Sequence, residues 1–179
     1  MYQKVSTDMD FVSREKEIAG FWKENGIMAK ALAHNRGRER FTFYEGPPTA
    51  NGRPHIGHVV TRAMKDLIPR FQTMKGKDVF RIGGWDTHGL PVELEVEKKL
   101  GLDGKEQIEA YGIEPFIQEC KQSVWKYKKE WEEMSDRVAF WVDMDKAYVT
   151  YYDSYIESVW WSLKQIADKG LLYRGHKVV

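Results

Sequence analysis

Gly46, Pro47, Pro48, Asn51, Gly52 and Pro54 crowd a nine-residue stretch that can sustain neither a central strand nor a helix. The glycines lack a Cβ, the prolines lack an N–H, and asparagine turns readily, so the chain must loop there. The flanks differ in period. Residues 41–45 alternate, with Phe41, Phe43 and Glu45 on one face and Thr42 and Tyr44 on the other, which predicts a short strand. Beyond the loop Val60, Met64, Leu67, Phe71 and Met74 recur at spacings of four, three, four and three, which puts them on one face of an α-helix that begins at His55 and His58. Pro69 falls inside this pattern and should kink the helix or disturb one turn.

A strand, a tight loop and a helix start form a phosphate cradle, because the first helical turn has unpaired N–H groups and a partial positive charge. His55 and His58, three residues apart on that turn, can donate hydrogen bonds to phosphate oxygens, and Gly57 lets a flat base approach the backbone. The plainer reading is that one histidine caps the helix and the other is merely exposed. Gly76 ends the helix pattern, and residues 78–82 read as a second strand, giving a parallel crossover unit. Ligands of open parallel sheets collect at the carboxyl ends of strands, here residues 46–58 and 83–89, so the two stretches are expected to face one crevice. Gly83 and Gly84 allow close backbone approach. Asp86 is placed to hold a cationic group such as a substrate ammonium, or else to cap the helix that Pro91 opens.

The remainder reads as packing. Phe11, Ile18, Phe21 and Trp22 give a helical lead-in after an Asp10 cap, stopped by Asn25-Gly26, with a second short helix over 27–33. Helices are expected over 91–100, closed by Gly101, and over 105–111, closed by Gly112. Ile117, Cys120, Val124, Tyr127, Trp131 and Met134 alternate spacings of three and four without a break and predict one longer helix opened by Glu114-Pro115. Residues 138–152 look extended. Ser154 and Glu157 form a capping box for a helix running to Gly170, and strand-like residues follow at 171–173 and 177–179.

Composition narrows the class. With 179 residues, 42% of them hydrophobic, the chain suits a globular domain rather than a disordered tail. It has no run of 18 apolar residues and no secretory leader, which predicts a cytosolic protein without a membrane segment. Its single cysteine, Cys120, reads as a buried structural thiol. The net charge of +1 is unevenly spread: residues 53–81 carry seven Lys or Arg against two acids, and residues 93–119 carry eight acids against three lysines. The lysines near Trp125 and Tyr127 are offset by neighbouring glutamates, which argues against a nucleic-acid face there. Asp143 and Asp145 lack histidine support for a metal.

His-Ile-Gly-His at 55–58 after a Pro-rich turn, together with Gly-Trp-Asp-Thr-His-Gly-Leu-Pro-Val-Glu at 84–93, resembles the class I aminoacyl-tRNA synthetases. Pro-Pro-Thr-Ala-Asn-Gly before His55 makes the likeness closest to their isoleucyl branch, rather than the valyl or leucyl ones, over nearly the whole chain. The resemblance implies an α/β fold, the first half of a Rossmann-like parallel-sheet nucleotide-binding catalytic domain with a helical N-terminal lead-in and helical insertions. Residues 1–40 would be the lead-in and 41–179 a partial catalytic domain, cut before the editing insertion. It also implies ATP with Mg2+ and isoleucine as substrates, tRNA(Ile) as partner mainly through other regions, and a monomeric intact enzyme. Carried over, His55 and His58 would be catalytic and would contact ATP phosphates, Gly57 would lie beneath adenine, and Gly46 would serve both ATP and the amino acid. Pro47 would line the adenylate site, with Asp86 pairing with the substrate ammonium. The family's Lys-Met-Ser-Lys-Ser signature, Trp-rich pocket and Cys-x-x-Cys zinc site do not occur in these residues, so an amino-terminal fragment with little activity of its own is expected. Two other readings remain open at this stage: a small nucleotidyltransferase sharing the His-x-Gly-His helix start, which leaves residues 84–93 unexplained, and a non-catalytic module binding nucleotide or tRNA.

Overall fold

The structure is a computed structural model that describes residues 7, 10–49 and 51–176. The strand expected at 177–179 and Ala50 of the Pro-rich turn lie outside the described residues. Among those described, the chain forms α1 (Phe11–Glu24), α2 (Ile27–His34), β1 (Arg40–Tyr44), α3 (Ile56–Met74), β2 (Asp78–Trp85), α4 (Leu90–Leu100), α5 (Lys105–Tyr111), α6 (Ile113–Ser123), α7 (Lys128–Arg137), β3 (Asp143–Val149) and α8 (Asp153–Asp168). The strands make an α/β sheet in the order β1-β2-β3, with β2 and β3 parallel. The chain divides into two compact units. One comprises the described residues of Met1–Phe43, His55–Arg81 and Glu132–Trp141; the other comprises those of Tyr44–Pro54, Ile82–Trp131 and Val142–Val179.

In the first unit, α3 buries a different face from the one its apolar period suggests. Val60, Met64, Leu67, Phe71 and Met74 are 51 to 85% exposed, while the buried residues of the helix are Arg62, Asp66 and Pro69. Charge pairing explains the inversion. Asp66 accepts from Arg81 at 3.3 Å, from the Trp141 N–H at 3.2 Å and from Arg70. Arg81 also donates to the Thr73 hydroxyl at 2.9 Å and the Trp141 carbonyl at 3.2 Å, and the Arg62 guanidinium lies 4.8 Å from the Phe140 ring centroid. Buried charges persist when they are paired and hydrogen-bonded in this way. Pro69, expected to kink the helix or disturb one turn, is fully buried, and the helix continues through it from Ile56 to Met74. Asp10 does cap α1, accepting from the Ser13 N–H at 3.1 Å, but among the described residues none in α1 is buried. Its main anchor is Trp22, edge-on to Trp141 at 5.2 Å.

In the second unit, Trp85, Val92, Val96, Phe116, Val124, Trp131, Val142 and Val149 form the core. Gly101 ends α4 in the left-handed region at φ 69°, as its position in the sequence requires. The longer helix expected after Glu114 is two, α6 and α7. Between them Trp125, Lys126 and Lys128 each bond three residues back, tightening the chain into turns. Trp125 is thereby drawn into an aromatic cluster, edge-on to Trp85 and Tyr151, with its indole N–H donating to the Tyr151 hydroxyl at 3.1 Å. Cys120 is half-buried rather than buried, and burial raises its thiol pKa, with the charges of Glu93 and Glu119 adding to the rise. The Ser154 capping box does not form: α8 starts two residues earlier with Tyr152 at the cap and no side-chain cap bond. Residues 171–173 are irregular, not strand.

Candidate functional site

His55 and His58 cap α3 together. His55 sits at the N-cap with extended backbone, and its Nδ1 accepts from the Gly57 N–H at 3.2 Å. The His58 Nδ1 accepts from the His55 N–H at 3.0 Å, and the two rings lie 3.7 Å apart. A ring nitrogen that accepts must be unprotonated, so in this arrangement each imidazole carries its proton on Nε2. The plainer reading of the pair is thus half right: one histidine was expected to cap, and both do. The expectation of unpaired N–H groups on this turn is not met at Gly57 or His58, since the His58 N–H bonds the His55 carbonyl at 2.9 Å. Burial lowers the His58 pKa, and its electrostatic coupling to His55, Arg62 and Lys65 pushes the same way. At Gly57 a Cβ would lie 3.0 Å from the His55 ring, so a side chain there would press on the histidine cap.

The second group of residues lies in the other unit. Asp86 follows β2 directly and forms a parallel bridge with Thr49; its N–H donates to the Pro48 carbonyl at 3.1 Å, and one carboxylate oxygen accepts from the Thr49 hydroxyl at 3.3 Å. Asp86 does not cap the next helix, since Gly89 is the N-cap of α4. The Gly46–Thr49 segment is therefore fastened beside Asp86. A Cβ on Gly46 would meet nothing within 4 Å and its φ is not positive, so the fold does not require glycine there. Behind this segment Thr87 and Thr150 lock together: the Thr87 N–H donates to the Thr150 hydroxyl at 2.9 Å, and the Thr150 N–H donates to the Trp85 carbonyl at 3.2 Å.

β2 is longer than its apolar run suggests, reaching Trp85 and including Gly83 and Gly84. What approaches these two glycines is protein: a Cβ on Gly83 would lie 2.5 Å from the Met144 sulfur, and one on Gly84 2.4 Å from the Tyr148 ring. Tyr148 donates its hydroxyl to the Glu45 carbonyl and stacks on Tyr155 with centroids 5.6 Å apart. Among the described residues no group of three or more His, Cys, Asp or Glu could hold a metal ion.

The family model of class I tRNA synthetases (I, L, M and V) matches residues 17–179. The chain belongs to this family. It is 60% identical over 179 residues to an isoleucine–tRNA ligase of Clostridium tetani and 56% identical to that of Thermus thermophilus, in each case along all of this chain and 17% of the relative. The chain thus spans about a sixth of the length of the curated relatives it matches. A crystal structure of an Agrobacterium radiobacter K84 agnB2 LeuRS–tRNA–LeuAMS ternary complex superposes with a TM-score of 0.58 at 22% identity, covering 94% of this chain and 19% of that one, a likeness of fold. The family match runs through residues 84–93, which the nucleotidyltransferase reading left aside.

For this class I synthetase chain, the supports of the motif residues were not legible beforehand. Thr49 belongs to the Pro-Pro-Thr-Ala-Asn-Gly run, but nothing in that run signals its tie to Asp86. Tyr148 and Thr150 carry no motif signal and lie more than 50 residues from the glycine and threonine they contact.

Proposed function

We propose that this chain is part of an isoleucine–tRNA ligase, which joins isoleucine to ATP as an aminoacyl adenylate, releases pyrophosphate, and passes the amino acid to tRNA(Ile). The observation that carries this reading is 56 to 60% identity, along the entire chain, to relatives of that name. In it, residues 1–40 lead into a partial catalytic domain over 41–179, and the intact protein is a cytoplasmic monomer.

The amino acid enters with its ammonium toward Asp86 and its backbone along Gly46 and Pro47. The carboxylate that Thr49 orients leaves a second oxygen for the ammonium, a charge-assisted pairing. Open space at Gly46 gives the substrate room to approach the backbone. The amino-acid carboxylate then attacks the α-phosphorus of ATP, with Mg2+ accompanying the nucleotide as part of the substrate. His55 and His58 donate hydrogen bonds to phosphate oxygens as charge builds in the transition state, Gly46 and Gly57 line the ATP site, and adenine rests over Gly57. Zinc does not fit the residues described.

The test is isoleucine-dependent exchange of labelled pyrophosphate into ATP by the full-length protein. Exchange should fall at least about 100-fold in His58→Ala, as for loss of a transition-state donor. The 179-residue chain alone should show little or none; robust exchange by it, abolished in His58→Ala, would overturn the view that residues outside this chain are needed for the chemistry.

A further inference from the structure

Tyr148 comes from β3, which contributes nothing to the site as proposed, yet its side chain reaches two of the segments that do. Its ring covers Gly84, where a Cβ would lie 2.4 Å away, and is held in that plane by Tyr155, stacked at 5.6 Å with 6° between the rings. Its hydroxyl donates to the carbonyl of Glu45. The segment that follows is tied to β2 on either side of Gly46 and Pro47: the Glu45 N–H bonds the Ile82 carbonyl at 2.9 Å, and the Asp86 N–H bonds the Pro48 carbonyl at 3.1 Å. Between these ties lies the planar Glu45–Gly46 peptide, and the Tyr148 hydroxyl is one of the groups that holds its carbonyl end.

We propose that Tyr148 is a positioning residue for amino-acid binding, its hydroxyl orienting the Glu45–Gly46 peptide so that the Gly46–Pro47 backbone faces an α-ammonium held by Asp86. This rests on the reading of Gly46, Pro47 and Asp86 as the amino-acid site. Burial raises the Tyr148 pKa, with the charges of Tyr155, Glu45 and Asp86 adding to it, so the hydroxyl stays protonated and remains a donor at neutral pH.

The experiment is pyrophosphate exchange by the full-length protein with Tyr148→Phe, which keeps the ring over Gly84 and removes the hydroxyl. The expected result is a KM for isoleucine raised about tenfold, in line with one lost hydrogen bond to a positioned backbone group, with the KM for ATP unchanged. KM does not depend on the folded fraction, so a partial folding defect leaves the comparison intact. An unchanged isoleucine KM, or an equal rise in both KM values, overturns the proposal. Asp86→Asn, run alongside, separates the two claims. If it raises the isoleucine KM while Tyr148→Phe does not, the positioning role is wrong and the site reading stands; if Asp86→Asn has no effect, the site reading itself is wrong.

Discussion

Thr49 and Asp86 are joined twice, by a parallel backbone bridge and by a hydroxyl–carboxylate hydrogen bond of 3.3 Å. The bridge fixes where Asp86 sits, and the hydroxyl fixes how its carboxylate turns. Thr49→Val keeps the β-branched shape and removes only the second. It should raise the isoleucine KM several-fold, for a loss of about 1 kcal/mol, with an unchanged melting temperature, and Thr49→Ser should restore binding. Exchange kinetics of the three proteins measure this.

Two glycines 38 positions apart should respond oppositely to the same added methyl group. At Gly84 it would collide with the Tyr148 ring, so Gly84→Ala should lower stability by about 1 to 3 kcal/mol in urea unfolding. At Gly46 it would meet open space. Gly46→Ala should unfold at the wild-type urea midpoint yet bind isoleucine poorly in equilibrium dialysis.

Removing Asp66 would leave the buried Arg81 guanidinium, already pulled down to about 10 mainly by burial, without its opposing charge. Asp66→Ala should cost about 3 to 5 kcal/mol, and Asp66→Leu combined with Arg81→Met should recover most of it. Denaturant titrations of the single and double variants decide; a double variant as unstable as the single would refute the charge argument.

Because His58 titrates below its ordinary value near 6.5, the unfolded chain binds more protons than the folded one between the two values. The contribution of His58 to stability is therefore complete above about 6.5 and is lost as pH falls through the lower, folded-state pKa. His58→Gln should flatten the stability profile of the chain over that acid window, as read by urea unfolding at a series of pH values.

The fold was legible where a single residue dictates backbone geometry. Gly101 and Gly112 fixed the ends of α4 and α5, and the loop before His55 fixed the start of α3. It was illegible where long-range pairing outweighs local pattern. The period of α3 marked its apolar face correctly, but Arg81 and Trp141, distant in sequence, draw the opposite face inward through Asp66. The break at 124–127 likewise depends on Trp125 meeting Trp85 and Tyr151. In the candidate site, motif residues announced themselves by type and spacing, whereas the reciprocal histidine cap and the Thr49 tie depend on backbone hydrogen bonds that no residue pattern encodes.

The outward apolar stripe of α3 bears on how this chain must be assayed. Met64, Leu67, Phe71 and Met74 offer a reporter dye a binding strip on the fully native 179-residue protein, so a dye-based melt would begin bright. The instrument would then record unfolding before any had occurred. Intrinsic fluorescence needs no dye, and Trp85 and Trp131, each only 2% exposed, report on the core above a background from the exposed Trp160 and Trp161.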